Sequence, residues 1–273
     1  GAPLELNALA LEADLLLGTG SIVPHIWAGW GGGAKILLPG ISAAPSIAPT
    51  HALAGREPDL TLVSGRAENA CRKEIERVAN RVGLDMIINC VVDAEGNPAW
   101  VGAGDTVRAH RAGVEAAKEL FVRPVPAPAD IVLADACPAD KDYWQGIKAL
   151  THAARGAVEG GVVVLAGAFP DGISPTHPEF SRHARLAPDE VARAARRGDI
   201  ADEVILTTLR LHATLRQRNH VICLSEGMSR EQTSALGFHH ASSAAEALHL
   251  ARELAGRDAC MGMLDYAGDV LPV

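Results

Sequence analysis

The sequence predicts an α/β protein with two α/β domains, each built on a mainly parallel sheet covered by helices. Three observations carry this. Short apolar runs alternate with stretches of helical periodicity along the whole chain. A proline-rich stretch at residues 123–129, RPVPAPA, reads as a stiff connector near the middle. The 273 residues are enough for two hydrophobic cores. The expected domains are residues 1–125 and 128–257, with 258–273 a candidate to return to the first. With only 4% aromatic residues, both cores must be mostly Ala, Val, Leu and Ile.

In chain order, residues 5–12 read as a short helix. The apolar run 13–17 is a strand emptying into Gly18-Thr19-Gly20, and ligands of open α/β sheets collect at such strand ends. Residues 24–51 read as a loop rich in Gly and Pro, with one helical turn over 34–38 stopped by Pro39-Gly40. Residues 67–82 form a helix ended by Gly83, a favoured C-cap. Residues 85–92 (DMIINCVV) and 100–103 are strands, and 106–121 a helix entered through Asp105. The alternation then restarts with strand 131–135, helix 142–158 and strand 161–166. A polar loop spans 169–183. Helices at 188–197 and 202–217, strand 220–225, helix 242–254 and strand 259–264 complete the chain.

Composition narrows the function. A formal net charge of −8 argues against a nucleic-acid groove, which needs excess Lys and Arg. No apolar run is long enough to span a bilayer, and the first 18 residues lack the basic start of a secretory signal. The five cysteines are scattered, with no CxxC pair, so reduced thiols in a cytoplasmic protein are the expectation.

The candidate site is residues 24–51, PHIWAGWGGGAKILLPGISAAPSIAPTH. Gly permits close backbone approach and Pro fixes φ, so the stretch is built to hold a shape. It carries His25, Lys35 and His51. GGGAK lacks the spacing of a phosphate loop, because Ile36 stands where a hydroxyl would bind magnesium, and no GxGxxG follows a strand. One histidine cannot hold a metal alone. Taken singly, Lys35 reads as a solvated lysine, His25 as structural or catalytic with equal weight, and His51 as a turn residue. Their joint placement in one stiff loop argues for more. Trp27 and Trp30 most simply pack this loop, His110 reads as structural, and Asp140 and Asp142 as helix N-caps.

PHIWAGWGGGAKILLPG followed by a histidine resembles the signature PHxxAGxxGGxKxxLPG of the nickel-dependent lactate racemase family. VGAGDTVRAHRA at 101–112 and YWQGIK at 143–148 also resemble that family, and the resemblance runs over the whole chain. It implies an active-site cleft between two α/β domains and a nickel pincer nucleotide, a pyridinium mononucleotide that holds nickel through sulfur, carbon and sulfur. Lys35 matches the lysine that tethers this cofactor through a thioamide, and His51 matches the histidine that gives nickel its fourth ligand. His25 matches one of two catalytic histidines. Gln145 and Lys148 match substrate-facing positions, and Trp27 could wall the cofactor pocket. The first domain is then the cofactor-binding one. The implied reaction is racemisation or epimerisation of a small 2-hydroxy acid by hydride transfer.

Relatives are longer at the N-terminus, where a DHTRP-like segment and a GxH segment supply the second catalytic histidine and a substrate-binding arginine. Nothing in residues 1–18 replaces them. The expectation is therefore a fragment, a split enzyme whose N-terminal half is another chain, or altered chemistry. The alternative function is a non-catalytic cofactor-binding fragment or subunit needing such a partner. A third reading is a metal-independent enzyme in which Lys35 forms no adduct.

Overall fold

The computed structural model describes residues 4–273. By its internal contacts the chain divides into two units, Gly1–Val122 and Arg123–Val273.

In the first unit, α1 (Ala8–Leu11) precedes β1 (Leu17–Ser21). A small hairpin, β2 (Pro24–His25) and β3 (Gly29–Trp30), leads into a 3-10 turn over Gly33–Ile36 and then α2 (Ala44–Ala54). Helix α3 (Ala70–Val82) starts on the Asn69 side chain, which accepts from the Arg72 amide, and stops at Gly83 in the left-handed region. Strands β4 (Met86–Val92) and β5 (Pro98–Gly104) and helix α4 (Arg108–Phe121) follow. The sheet order is β1-β4-β5, with β1 parallel and β5 antiparallel to β4.

One face of this sheet is packed. There Ile22, Trp30, Val91, Val114, Ala117 and Phe121 form the core, with α4 laid over β4 and β5. The opposite face alternates with it in register and meets water: Leu17, Ile88 and Val101 are 42%, 38% and 61% exposed.

The second unit begins within β6 (Val122–Arg123), which pairs with the last strand, β12 (Leu271–Pro272). Between them run β7 (Ala129–Asp135), α5 (Tyr143–Gly156), β8 (Ala157–Ala166), α6 (Phe180–His183), α7 (Pro188–Arg197), α8 (Glu203–Arg218), β9 (His220–Leu224), α9 (Arg230–Ala235), β10 (His239–Ala241), α10 (Ala244–Ala255) and β11 (Met261–Leu264). Five strands form a fully parallel sheet in the order β10-β9-β8-β7-β11. Helices α5 and α8 pack on its strands, and α10 closes a core of Ile131, Val162, Val164, Ile222, Ala247 and Ala251. The chain steps outward from β7 to β10 and then returns to place β11 on the other side of β7. The carboxyl ends of β7 and β11 therefore flank a topological switch point, where open α/β sheets bind ligands.

Three sequence expectations shift. The first strand is not 13–17 but Leu17–Ser21, because Gly18 and Gly20 lie within the ladder and let the strand pack closely; a Cβ on Gly18 would meet Ile36 at 2.7 Å. His51 lies on a helix rather than in a loop: Pro45 suits the first turn of α2, and Pro49 is accommodated inside it. Residues 258–273 place β11 against β7 in the second unit's sheet, so this segment does not return to the first unit. All five cysteines are free thiols. Among the described residues, no helix is long and apolar enough to cross a membrane.

Candidate functional site

The hairpin β2–β3 and the 3-10 turn after it expose many backbone carbonyls that no ladder satisfies. Buried polar groups from distant parts of the chain take them up. Arg72, fully buried on α3, donates from Nε to the Ala28 carbonyl at 3.3 Å, from Nη1 to Gly32 at 3.3 Å, and from Nη2 to Trp30. Burial pulls its guanidinium down to about 10, and the nearby Glu76 carboxylate acts against that, while the three carbonyls take up its N–H groups. His110, also fully buried, donates from Nε2 to the Gly31 carbonyl at 2.8 Å. Burial pushes its imidazole down to about 3, so the ring is neutral. The Gly33 amide donates to Asn89 Oδ1 at 2.7 Å. Gly33 sits at φ 62°, and a Cβ there would strike the His110 ring at 2.8 Å, so only glycine fits. Trp30 anchors the hairpin from inside, its indole N–H donating to Gly65 at 2.8 Å.

This cage fixes the candidate residues. His25, half-buried on β2, receives two backbone donors at Nδ1, from Trp27 and Ala28, each at 3.1 Å. The neutral ring therefore carries its proton on Nε2. Lys35 sits half-buried in the 3-10 turn, close enough that its charge acts on the buried thiol of Cys71. His51, in the last turn of α2, meets Trp27 edge-on with ring centroids 6.1 Å apart. Its Nδ1 lies 3.4 Å from the Ile47 carbonyl and 3.5 Å from Thr50 Oγ1. Trp27 thus links the hairpin that bears His25 to the helix that bears His51. Among the described residues, no cluster of three or more His, Cys, Asp or Glu side chains could hold a metal ion by itself.

Gln145 and Lys148 lie in the second unit, one turn apart on α5. Asp142 caps that helix, its Oδ1 accepting the Gln145 amide at 2.8 Å, and Lys148 Nζ donates to Gln145 Oε1 at 2.8 Å. Burial works to strip the Lys148 ammonium of its proton, while Asp269 and Asp142 oppose that. Trp144 stacks on His177 with centroids 4.0 Å apart, pinning the 167–183 loop to the head of α5. His239 and His240 lie on β10, with His239 exposed.

Sequence reading missed Arg72, Asn89 and Asp269. Arg72 and Asn89 act on the hairpin across 40 or more residues, and a local window has no means of pairing them with it. The one visible signal was a charged residue on the apolar face of the α3 pattern.

Comparison with known proteins follows the same outline. Residues 1–62 match the lactate racemase N-terminal domain and residues 125–267 the lactate racemase C-terminal domain. The lactate racemase of Thermoanaerobacterium thermosaccharolyticum is 32% identical over 174 residues, which is 63% of this chain and 41% of that protein. The lactate racemase of Lactiplantibacillus plantarum is 31% identical over the same shares. The matched stretch thus spans about two fifths of these relatives' length. The solved lactate racemase apoprotein from T. thermosaccharolyticum superposes with a TM-score of 0.88 at 27% identity, over 99% of this chain and 65% of that one. A Thermotoga maritima protein superposes at 0.80 with 17% identity, over 100% of this chain and 70% of that one, a likeness of fold alone. A glycine-rich hairpin caged by buried side chains, on a fold shared with those enzymes and with both family domains matched, makes this chain a member of the lactate racemase family.

Proposed function

We propose that this chain carries the cofactor-holding and substrate-carboxylate-holding parts of a racemase or epimerase of small 2-hydroxy acids, working with a nickel pincer nucleotide. The observation that carries the reading is the caged hairpin: one rigid segment sets His25 and Lys35, and Trp27 draws His51 to it. The donor set suits such a group. A single imidazole can complete nickel only if the other donors arrive with the cofactor.

Lys35 would tether the group through its amine, with Trp27 as a wall, and His51 Nε2 would be the protein's ligand to nickel. When bound, this cofactor supplies a hydride acceptor and donor for C2 of the substrate. The protein supplies orientation and proton handling. Lys148, steadied by Gln145, offers a cation to the substrate carboxylate. His25 presents Nε2–H to the substrate oxygen. To take up the hydroxyl proton at Nε2, the ring must first move its own proton to Nδ1, which sets N–H against the amides of Trp27 and Ala28. Proton uptake at His25 therefore requires those two bonds to loosen, and we expect it to accompany substrate binding.

Intact-mass spectrometry on protein made together with the cofactor-building enzymes tests this. A mass increment on the peptide holding Lys35 is expected, and its complete loss in Lys35→Ala with an unchanged melting temperature. An adduct retained in that variant refutes the assignment. His51→Ala should lose nickel by elemental analysis while keeping the organic adduct. The same residues would serve a cofactor-binding subunit that is inactive until a partner chain completes it. Racemisation by the loaded chain alone, against racemisation only after adding the unmatched part of the T. thermosaccharolyticum enzyme, separates the two.

A further inference from the structure

Helix α5 is buried on nearly all sides. Its residues that reach solvent are Trp144, Gln145, Lys148 and Arg155. At 3.6 residues per turn these positions span an arc of about 100°, so they form one strip. Lys148 Nζ and Gln145 Oε1 are 2.8 Å apart, and helical side chains lean toward the N-terminus, so the ammonium is drawn toward the head of the helix. Trp144 is the apolar member of the strip and stands at that head.

The indole is held in place. The His177 ring lies over it with planes 8° apart and centroids 4.0 Å apart, and Phe180 meets it edge-on at 5.4 Å. The loop that brings His177 is seated on the first amides of α5. The Tyr143 amide donates to the Gly172 carbonyl and the Trp144 amide to Ile173, each at 2.9 Å. His177 is fixed in turn, its amide donating to Ser174 Oγ at 3.1 Å and its Nδ1 lying 2.9 Å from Thr176 Oγ1. A stack held in this way is a rigid, flat wall. This end of α5 also carries carboxylates. Asp142 caps the helix, Asp140 accepts the Ala168 amide at 3.3 Å, and Asp202 and Asp142 both act on the His177 ring against the burial that lowers its pKa.

We infer that the Trp144–His177 stack is the specificity-determining wall for the group on C2 of the substrate, and that it selects a 2-hydroxy monocarboxylic acid with an apolar, branched or aryl substituent over one with a second carboxylate. The inference rests on the reading that Lys148 meets the substrate carboxylate. With that end on the ammonium, the rest of the acid runs along the strip to the indole. A flat aromatic face rewards apolar and aryl area. A second carboxylate would lose its water there and face Asp142 and Asp202. A methyl group covers little of the indole and gains little.

Binding is read directly on the full chain and needs no cofactor. The Trp144 indole N–H, identified by its loss in Trp144→Phe, is followed by ¹⁵N NMR while phenyllactate, lactate or malate is added. Phenyllactate should shift the signal and bind roughly tenfold tighter than lactate or malate. His177→Ala should cut that preference by roughly threefold or more, and His177→Phe, which stacks but cannot hydrogen-bond, should restore it. Lys148→Met should weaken all three acids alike. Phenyllactate that leaves the Trp144 signal in place overturns the proposal. So does malate that binds as tightly, a preference that survives in His177→Ala, or a His177→Phe variant as weak as His177→Ala. If instead Lys148→Met binds every acid as well as the wild type while phenyllactate still leads, the carboxylate role of Lys148 fails and the wall stands.

Discussion

Lys35 and Lys148 are both half-buried lysines proposed to bind ligand, and the two units hold them by opposite means. Lys35 follows an irregular hairpin whose carbonyls are taken up by Arg72 and His110, residues 40 and 79 positions away from their partners at Gly32 and Gly31. Lys148 rides on a regular helix that is closed locally, three residues from Gln145 and six from its cap at Asp142. Irregular backbone can hold a precise shape only when buried side chains satisfy it, and those must come from elsewhere in the chain. A helix satisfies its own backbone and needs only an end cap. The first design should therefore fail in large steps under single substitutions, and the second in small ones.

Arg72→Met should show the largest effect. It leaves the carbonyls of Ala28 and Trp30 without the guanidinium and Gly32 with only the Lys35 amide, and we expect a loss of roughly 3–5 kcal/mol in the first unit, read by urea denaturation with hydrogen exchange on hairpin amides. A loss below about 1 kcal/mol would mean that water replaces the guanidinium and that the cage is not what holds the hairpin.

Acid should separate the units next. His110 in the first unit, and His152 and His212 in the second, are each pushed down to about 3, chiefly by burial. A histidine whose folded value is depressed takes up its proton on unfolding. Its stability is therefore intact above the unfolded value of about 6.5 and falls as pH drops from there toward 3. One such group costs about 1.4 kcal/mol per pH unit and two cost about 2.7, so the second unit should weaken twice as steeply between about pH 6 and pH 4. Exchange rates followed separately in the β4 and β8 amides would check this. Equal slopes would show that carboxylates, not these histidines, set the acid limit.

Asp142→Ala should be mildest, costing about 1 kcal/mol as an ordinary N-cap loss, with α5 still formed by circular dichroism. A much larger loss would place Asp142 with the non-local cage residues and erase the contrast.

The same contrast explains how far the sequence could be read. The parallel sheet of the second unit, the α5 cap at Asp142 and the stop of α3 at Gly83 follow from local periodicity and capping chemistry, whereas the antiparallel β5 makes the first sheet mixed. The family segment at 24–51 was legible as a shaped loop bearing Lys35 because its Gly and Pro content is itself local. Helix α2 was not legible, since APSIAPTHALA shows no apolar stripe and carries two prolines. The strand at Leu17–Ser21 was misplaced because its glycines read as a turn, whereas Gly18 is there to let Ile36 come close. Arg72 was on the page as a residue of α3 but not as an anchor, because only the folded chain brings a guanidinium to carbonyls 40 positions upstream.

The open side of the first sheet has a practical consequence for anyone handling the protein. Leu17, Ile88 and Val101 form a greasy strip in water beside β1, a strand with no neighbour on its outer edge in this sheet. Concentrated solutions should cluster reversibly through that strip, more so in ammonium sulfate and less in dilute urea, and a lysine at position 88 or 101 should keep them clear.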